Sequence, residues 1–379
     1  MNDYPILLIH GMLGFGEEEK IYDVIPYYGM LTGSLVKRLR AKGYRAYAPK
    51  VGSVASAWDR ACELYACLTG GTVDYGEAHS KRFGHARYGR TYDKPLIPDW
   101  GKDCKIHMFG HSFGGATMRM FVALLADGCE AERAATGDDT SPLFMGGKGD
   151  WVASITALAA PHDGTTIMHA IPGFIPILKY GVYFIAAFLE KIFKKIYDFG
   201  VTDAWDLSSF SGIMHTIRSK DNLFWDLRID GAAQMAEHVK CYDTTYYFSV
   251  PTLGTEKRAD GKIHKAPIMF PILWITGFAM AHYKPKPNLK NLVNWDESWL
   301  HSDGLATYGS SLFPKNDPHI NWVDADQTNL KKGIWYTMPD ADSDHGTIIG
   351  GSLKYIGKGK YKIFDAYYQE HIDRLMQLD

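Results

Sequence analysis

"KIHMFGHSFGGATMRMFVALL" runs from Lys105 to Leu125, and its reading decides the fold. At its centre lies Gly110-His111-Ser112-Phe113-Gly114, a serine among small residues. A glycine-rich chain of this length holds roughly 0.2 such patterns by chance, so the pattern alone decides little. Its surroundings decide more, because a short apolar run precedes it and a stretch with helical spacing follows. A strand–turn–helix junction is where a nucleophile elbow forms, a turn so sharp that flanking side chains must be small. The turn lifts the hydroxyl clear of the backbone. The alternative is an ordinary glycine-rich turn between a strand and a helix.

Working outward, "YPILLIHG" (Tyr4–Gly11) reads as a buried strand, and "LTGSLVKRLRAKG" (Leu31–Gly43) as a helix stopped by glycine. "YRAYAPKV" (Tyr44–Val51) reads as a strand, "SVASAWDRACELYACLTGG" (Ser53–Gly71) as a helix, and "WVASITALAAPHDG" (Trp151–Gly164) as a strand ending in a loop. This alternation predicts an α/β fold, a mostly parallel central sheet with helices on both faces. Such sheets bind ligands at the carboxyl ends of their strands, where Ser112 would lie. Two segments break the rhythm. Thr72–Tyr92 is rich in Gly, His, Arg and Tyr and lacks clear periodicity. Ile167–Gly200 is strongly apolar, with scattered charge at Lys179, Glu190, Lys191, Lys194 and Lys195, which suits an amphipathic helix that packs, lies on an interface or covers a site.

The 379 residues suffice for one large α/β domain with insertions, or for two domains. A net charge of −2 gives no electrostatic reason to expect a nucleic-acid partner. The five cysteines form no metal-type pair, and an odd number cannot all be bridged internally. No basic segment followed by a longer apolar one opens the chain, so no secretory signal is expected within it. Ala266–Tyr283 lacks formal charge, but two prolines and a glycine interrupt it. An apolar loop or pocket wall is expected there rather than an integral membrane span.

A serine hydroxyl becomes nucleophilic when a neighbouring base takes its proton, and a carboxylate fixes the tautomer of that base. If the fold is that of an α/β-hydrolase, the acid and then the histidine follow the serine in the chain. "WDESWLHSDGLATYGS" offers Asp303, with Asp296 as its rival, and "YTMPDADSDHGTIIGG" offers His345 in a polar loop. His371 falls within the terminal helix, where a surface role is expected, while His10 and His111 flank motifs as packing or hydrogen-bonding residues. Ester hydrolysis also needs donors aimed at the oxyanion. The backbone N–H of Phe113 is one, and that of Met12, in the glycine-rich "HGMLGFG", is the other.

Several of these stretches together resemble the zinc-containing lipases of Gram-positive bacteria: "ILLIHGMLGFG", the long run Val51–Tyr92, "GHSFGG", "TALAAPHDGTT", and "WLHSDG" with "DHG". The likeness spans nearly the whole chain. It implies an α/β-hydrolase domain over residues 1–379, a zinc-binding insert over 57–100 and a lid region over 167–235. It implies carboxylester hydrolysis of acylglycerols, extended here to polyesters, at a lipid or polymer interface outside the cell. Carried over position by position, the nucleophile falls on Ser112, the acid on Asp303 and the base on His345, with oxyanion donors at Met12 and Phe113. The ligands of a structural Zn2+ fall on Asp59, His79, His85 and Asp226, two imidazoles and two carboxylates that close a four-coordinate shell. The chain departs from the family in three places. Gly110 stands where alanine is usual, the lid differs in wording, and Thr347 and Ser352 replace calcium-binding carboxylates, so calcium is left out of the expected set. Metal-dependent hydrolysis, acyl transfer to an alcohol, and a non-catalytic lipid-binding protein on the same fold are the alternative readings.

Overall fold

The computed structural model describes the chain except Pro172, Lys194, Lys195, Thr202 and Lys358, with backbone alone at 174, 175 and 189–193. The expected charges at Lys194 and Lys195 thus lie outside the described residues. Seven strands form one sheet: β1 (Ile6–Ile9), β2 (Ala46–Tyr47), β3 (Ile106–His111), β4 (Val152–Leu158), β5 (Tyr246–Val250), β6 (His319–Asn321) and β7 (Trp335–Thr337). Their order is β6-β7-β5-β4-β3-β1-β2, and every pairing is parallel. The helices used below are α1 (Leu35–Ala41), α2 (Ala57–Thr69), α3 (Glu77–Phe83), α4 (Gly114–Asp127), α5 (Phe174–Phe193), α6 (Leu273–Ala281) and α7 (Tyr361–Leu375).

Every residue of β1, β3, β4 and β5 is buried, because helices cover both faces of the sheet. The two-residue alternation of a strand divides the core. Leu7, Ile9 and Met108 pack with α2 and α4 on one face. Ile6, Leu8 and Phe109 pack with α1 and α7 on the other. Local chemistry sets the helix starts: Ser34 accepts from Lys37 N at the head of α1, and Ser56 from Asp59 N at the head of α2. Gly70 then ends α2 with a φ of 77°.

The strand expected over 44–51 shrinks to two paired residues at the sheet edge. Thr72–Tyr92, which lacks periodicity, folds as an antiparallel hairpin, Gly71–Asp74 with Tyr88–Tyr92, enclosing α3. Elements this short leave no repeat to read. The apolar stretch Ala266–Tyr283 is a turn leading into α6, and Phe270, Ile272 and Leu273 line a cavity, the pocket wall expected. No described helix is long and apolar enough to cross a membrane. His371 overturns the surface reading: it is buried, and its Nε2 lies 2.9 Å from the Thr156 hydroxyl, because α7 turns that face onto the sheet.

The β3–α4 junction is tightly packed. A Cβ added at Gly114 would sit 2.6 Å from the Ile9 carbonyl oxygen, which is backbone of the central sheet and cannot yield. Gly114→Ala is expected to lower stability by about 1–3 kcal/mol, read from urea or thermal unfolding.

Candidate active site and metal centre

Ser112 directly follows β3 with a φ of 55°, in the left-handed region that a residue with a side chain seldom occupies. Its N–H donates to Leu158 O at 2.8 Å, and Gly115 N donates to its carbonyl at 3.0 Å. The left-handed turn swings the hydroxyl out of the sheet and over the carboxyl ends of the strands. There it lines a cavity of about 300 Å3, with Met12, Leu178, Phe224, Leu273 and Ile349 among the walls.

His345, far along the chain, meets that hydroxyl: its Nε2 lies 3.0 Å from Ser112 Oγ. Its Nδ1–H donates to Asp303 Oδ2 at 2.8 Å, so Nε2 carries a lone pair directed at the serine hydroxyl. Asp303 is wholly buried and amply satisfied. Thr252 donates to Oδ2 at 2.6 Å, while Leu305 N and Ala306 N donate to Oδ1 at 3.0 and 2.8 Å. Asp296, its rival, stays exposed and caps a short 3-10 turn through Ser298 N.

The loop after β1 approaches Ser112 closely because Gly11 has no side chain; a Cβ there would sit 2.8 Å from Ser112 Cβ. Leu13 N donates to Ser53 O and holds this loop, which at Leu13 takes a φ of 55°. Among the described residues neither Met12 N nor Phe113 N donates to a protein acceptor, so both are available to an oxyanion.

A relay connects these two loops, and no sequence signal marked it. His111 is buried against His345 and held neutral, burial pushing its pKa far down with the neighbouring imidazole adding to that. Its Nε2–H donates to His345 O at 2.9 Å, since a carbonyl can only accept. Its Nδ1 therefore accepts, and the donor is the Tyr27 hydroxyl at 2.7 Å. Tyr27 Oη in turn accepts from Gly11 N at 2.9 Å. The backbone that carries Met12 is thus hydrogen-bonded, through two side chains, to the backbone that carries His345. The expectation that His111 packs or hydrogen-bonds is met, while Tyr27 emerges from the tertiary structure alone.

A second cluster lies apart from the cavity. Asp59 on α2, His79 on α3, His85 just beyond α3, and Asp221 offer ligand atoms within 4.8 Å of one another. The separations are 3.4 Å for His79 Nε2 to Asp59 Oδ1, and 3.2 Å from Asp221 Oδ2 to each imidazole Nε2. A tetrahedral ion with arms near 2.0–2.1 Å has edges of about 3.3 Å, so the group fits one. All four of these atoms are buried without a hydrogen-bond partner among the described residues, as ligand atoms would be. The His85 ring is oriented by its Nδ1–H, which donates to Ala86 O at 2.8 Å.

The fourth position belongs to Asp221, which corrects the expectation of Asp226. Asp226 is also buried nearby, but its Oδ2 accepts from Ala57 N at 2.8 Å and so caps α2. Burial, with Asp221 and Asp59 close by, pushes its pKa up to about 8. Two acidic residues in "SKDNLFWD" are indistinguishable by spacing, and a resemblance carried across a segment of altered wording gave no register to separate them. Burial also disfavours charge on His79, yet the carboxylates of Asp221 and Asp59 outweigh it and lift its pKa to about 10.

Seven parallel strands, with a serine on a strained turn meeting a histidine and a buried aspartate, define an α/β-hydrolase fold. The chain belongs to the lipase-like, C-terminal domain family, whose model matches residues 2–379. It is 32% identical over 369 residues to Lipase 2 of Staphylococcus aureus, covering 92% of this chain and 51% of that protein. The chain thus spans about half the length of the curated relatives it matches. The Staphylococcus hyicus lipase structure superposes with a TM-score of 0.86 at 30% identity, covering 99% of this chain and 96% of that one. Lipase 1 from Pelosinus fermentans gives 0.79 at 35% identity, with full coverage of both chains.

Metal content after dialysis separates the two aspartates. Asp221→Asn is expected to lose an ion that the parent retains at about one per chain, with a lower melting temperature. Asp226→Asn is expected to keep it.

Proposed function

We propose that this chain is a serine carboxylester hydrolase of lipase type, acting through an acyl-enzyme on Ser112. The observation that carries the reading is the unbroken hydrogen-bond chain from Ser112 Oγ to His345 to Asp303 at the floor of an apolar cavity. Ser112 Oγ attacks the ester carbonyl as His345 Nε2 takes its proton. Met12 N–H and Phe113 N–H receive the charge that develops on the carbonyl oxygen. His345 then returns the proton to the departing alcohol, and a water activated by the same nitrogen releases the acid. Asp303 holds the tautomer and offsets the transient imidazolium. An alcohol in place of water would make the same intermediate an acyl donor.

The relatives are named lipases, and the apolar walls suit the acyl chain of an acylglycerol or another hydrophobic ester, polyesters included. Leu178 of α5 reaches the cavity, which supports a lid role for the 167–235 region. Displacing it would expose apolar area at about 25 cal/mol per Å2, a cost that a lipid surface offsets. The family resemblance favours such a surface outside the cell. For the metal group, two imidazoles and two carboxylates favour Zn2+. When bound, the ion supplies structural cross-linking rather than catalysis, and none of its four ligands lines the Ser112 cavity. Asp59, His79 and His85 would bind it from within the 57–100 insert, and Asp221 from the segment beyond α5.

Ser112→Ala should leave the melting curve intact while reducing p-nitrophenyl ester turnover by about 10^3-fold or more. Retained turnover, or failure of a phosphonate to label Ser112 in the parent, would refute the serine mechanism. Tyr27→Phe removes the donor that sets the His111 tautomer, leaving Gly11 N–H unpaired. It should lower kcat by about tenfold with little change in KM, because pre-organisation rather than substrate contact is lost.

A further inference from the structure

Residues 265–290 hold four lysines and no carboxylate. Within them Phe270, Ile272, Ile275 and Phe278 stand 51–63% exposed, at and along α6. The opposite face of α6 is settled, since Gly277 and Met280 are buried and the helix packs on the short helix Ile167–Ala170. The segment is held in place as well: Phe270 N donates to Asp344 Oδ2 at 2.7 Å, beside His345. Its exposed side chains therefore form a fixed apolar ridge, independent of where α5 lies.

Two observations say what covers this ridge. First, it is continuous with the cavity mouth, because Phe270, Ile272 and Leu273 line the cavity and Ile275 and Phe278 extend the same surface outward. Second, its flanks are cationic. Lys284, Lys286 and Lys290 are exposed beyond α6, and Lys265, half-buried, precedes it. Of the acidic residues in the adjoining segments, Glu256 pairs with Arg258, Asp260 with His264 and Glu297 with Lys257, while Asp296 accepts from Ser298 N. A two-fold contact between copies would bring these lysines toward one another, which disfavours a second copy as the occupant. Large apolar side chains flanked by lysines match a surface of acyl chains beneath anionic head groups.

We infer that α6 and its lysine flanks dock the protein on an anionic lipid surface, holding the cavity mouth against it. The inference deepens the proposed ester-hydrolase reading, in which each turnover releases a carboxylate. The surface being consumed would therefore grow more negative and bind this face more strongly.

Docking can be measured without turnover, which separates its failure from failure of the catalytic reading. In the Ser112→Ala background, co-sedimentation with phosphatidylcholine vesicles is compared with and without phosphatidylglycerol. Binding is expected to need phosphatidylglycerol and to weaken with salt. The double variant Ile275→Asp/Phe278→Asp should bind more than about tenfold less tightly. Lys284→Gln/Lys286→Gln should lose roughly fivefold per lysine. With Ser112 present, both double variants should turn over a soluble p-nitrophenyl ester like the parent, which also certifies folding. Absence of vesicle binding by the parent would overturn the inference. So would equal binding to both vesicle types, unchanged binding by the Asp variant, or a dimer that this variant dissolves.

Discussion

The positive φ of Ser112 is the constraint around which the site is built. A non-glycine residue in that region carries strain of order 1–3 kcal/mol and persists when its surroundings over-determine it. Here β3 is buried on both faces, Ser112 N–H is locked to the neighbouring strand, and Gly114 lets α4 start against the backbone of β1. The large parallel core supplies the rigidity that holds this one residue out of its preferred conformation. A serine displayed in this way turns its hydroxyl toward the cavity and His345.

Parallel pairing then brings the remaining groups to the same edge. All seven strands end on one side, so the loop after β1 with Met12, Ser112 after β3, Thr252 after β5 and His345 after β7 converge without any of them being near in sequence. Hydrogen bonds refine what topology achieves roughly. Asp303 fixes the ring of His345 from one side, and the Tyr27–His111 relay fixes its backbone from another. Because His111 is kept neutral by burial, it adds no positive charge beside the His345 imidazole.

The metal group solves a separate electrostatic problem. Asp59 and Asp221 are buried within reach of each other, and two such carboxylates need compensating positive charge. Without a cation that charge can come from protons on His79 and His85, whose pKa values the carboxylates raise. A divalent ion held by these four residues would supply it instead, and would join the hairpin insert to the chain beyond α5. The polar cluster and the apolar ridge of α6 thus do opposite work on the same scaffold, one securing an insert and the other presenting surface outward.

The strands around "KIHMFGHSFGG", helices within Leu31–Gly43 and Ser53–Gly71, and candidates in serine–aspartate–histidine order could all be read along the chain. Each depends on local periodicity, a terminal glycine or motif order, which neighbouring residues carry among themselves. The hairpin in the insert, the burial of His371, the choice of Asp221 over Asp226 and the role of Tyr27 could not. They depend on which side chain of a nearby pair faces which partner across the fold, a distinction of a few ångströms that spacing does not encode. The amino-acid order by itself determined the strand–helix alternation around Ser112 and offered most of the candidate reactive groups. Packing of the finished sheet decided which of those groups meet, because only a closed core specifies directions in space for residues hundreds of positions apart.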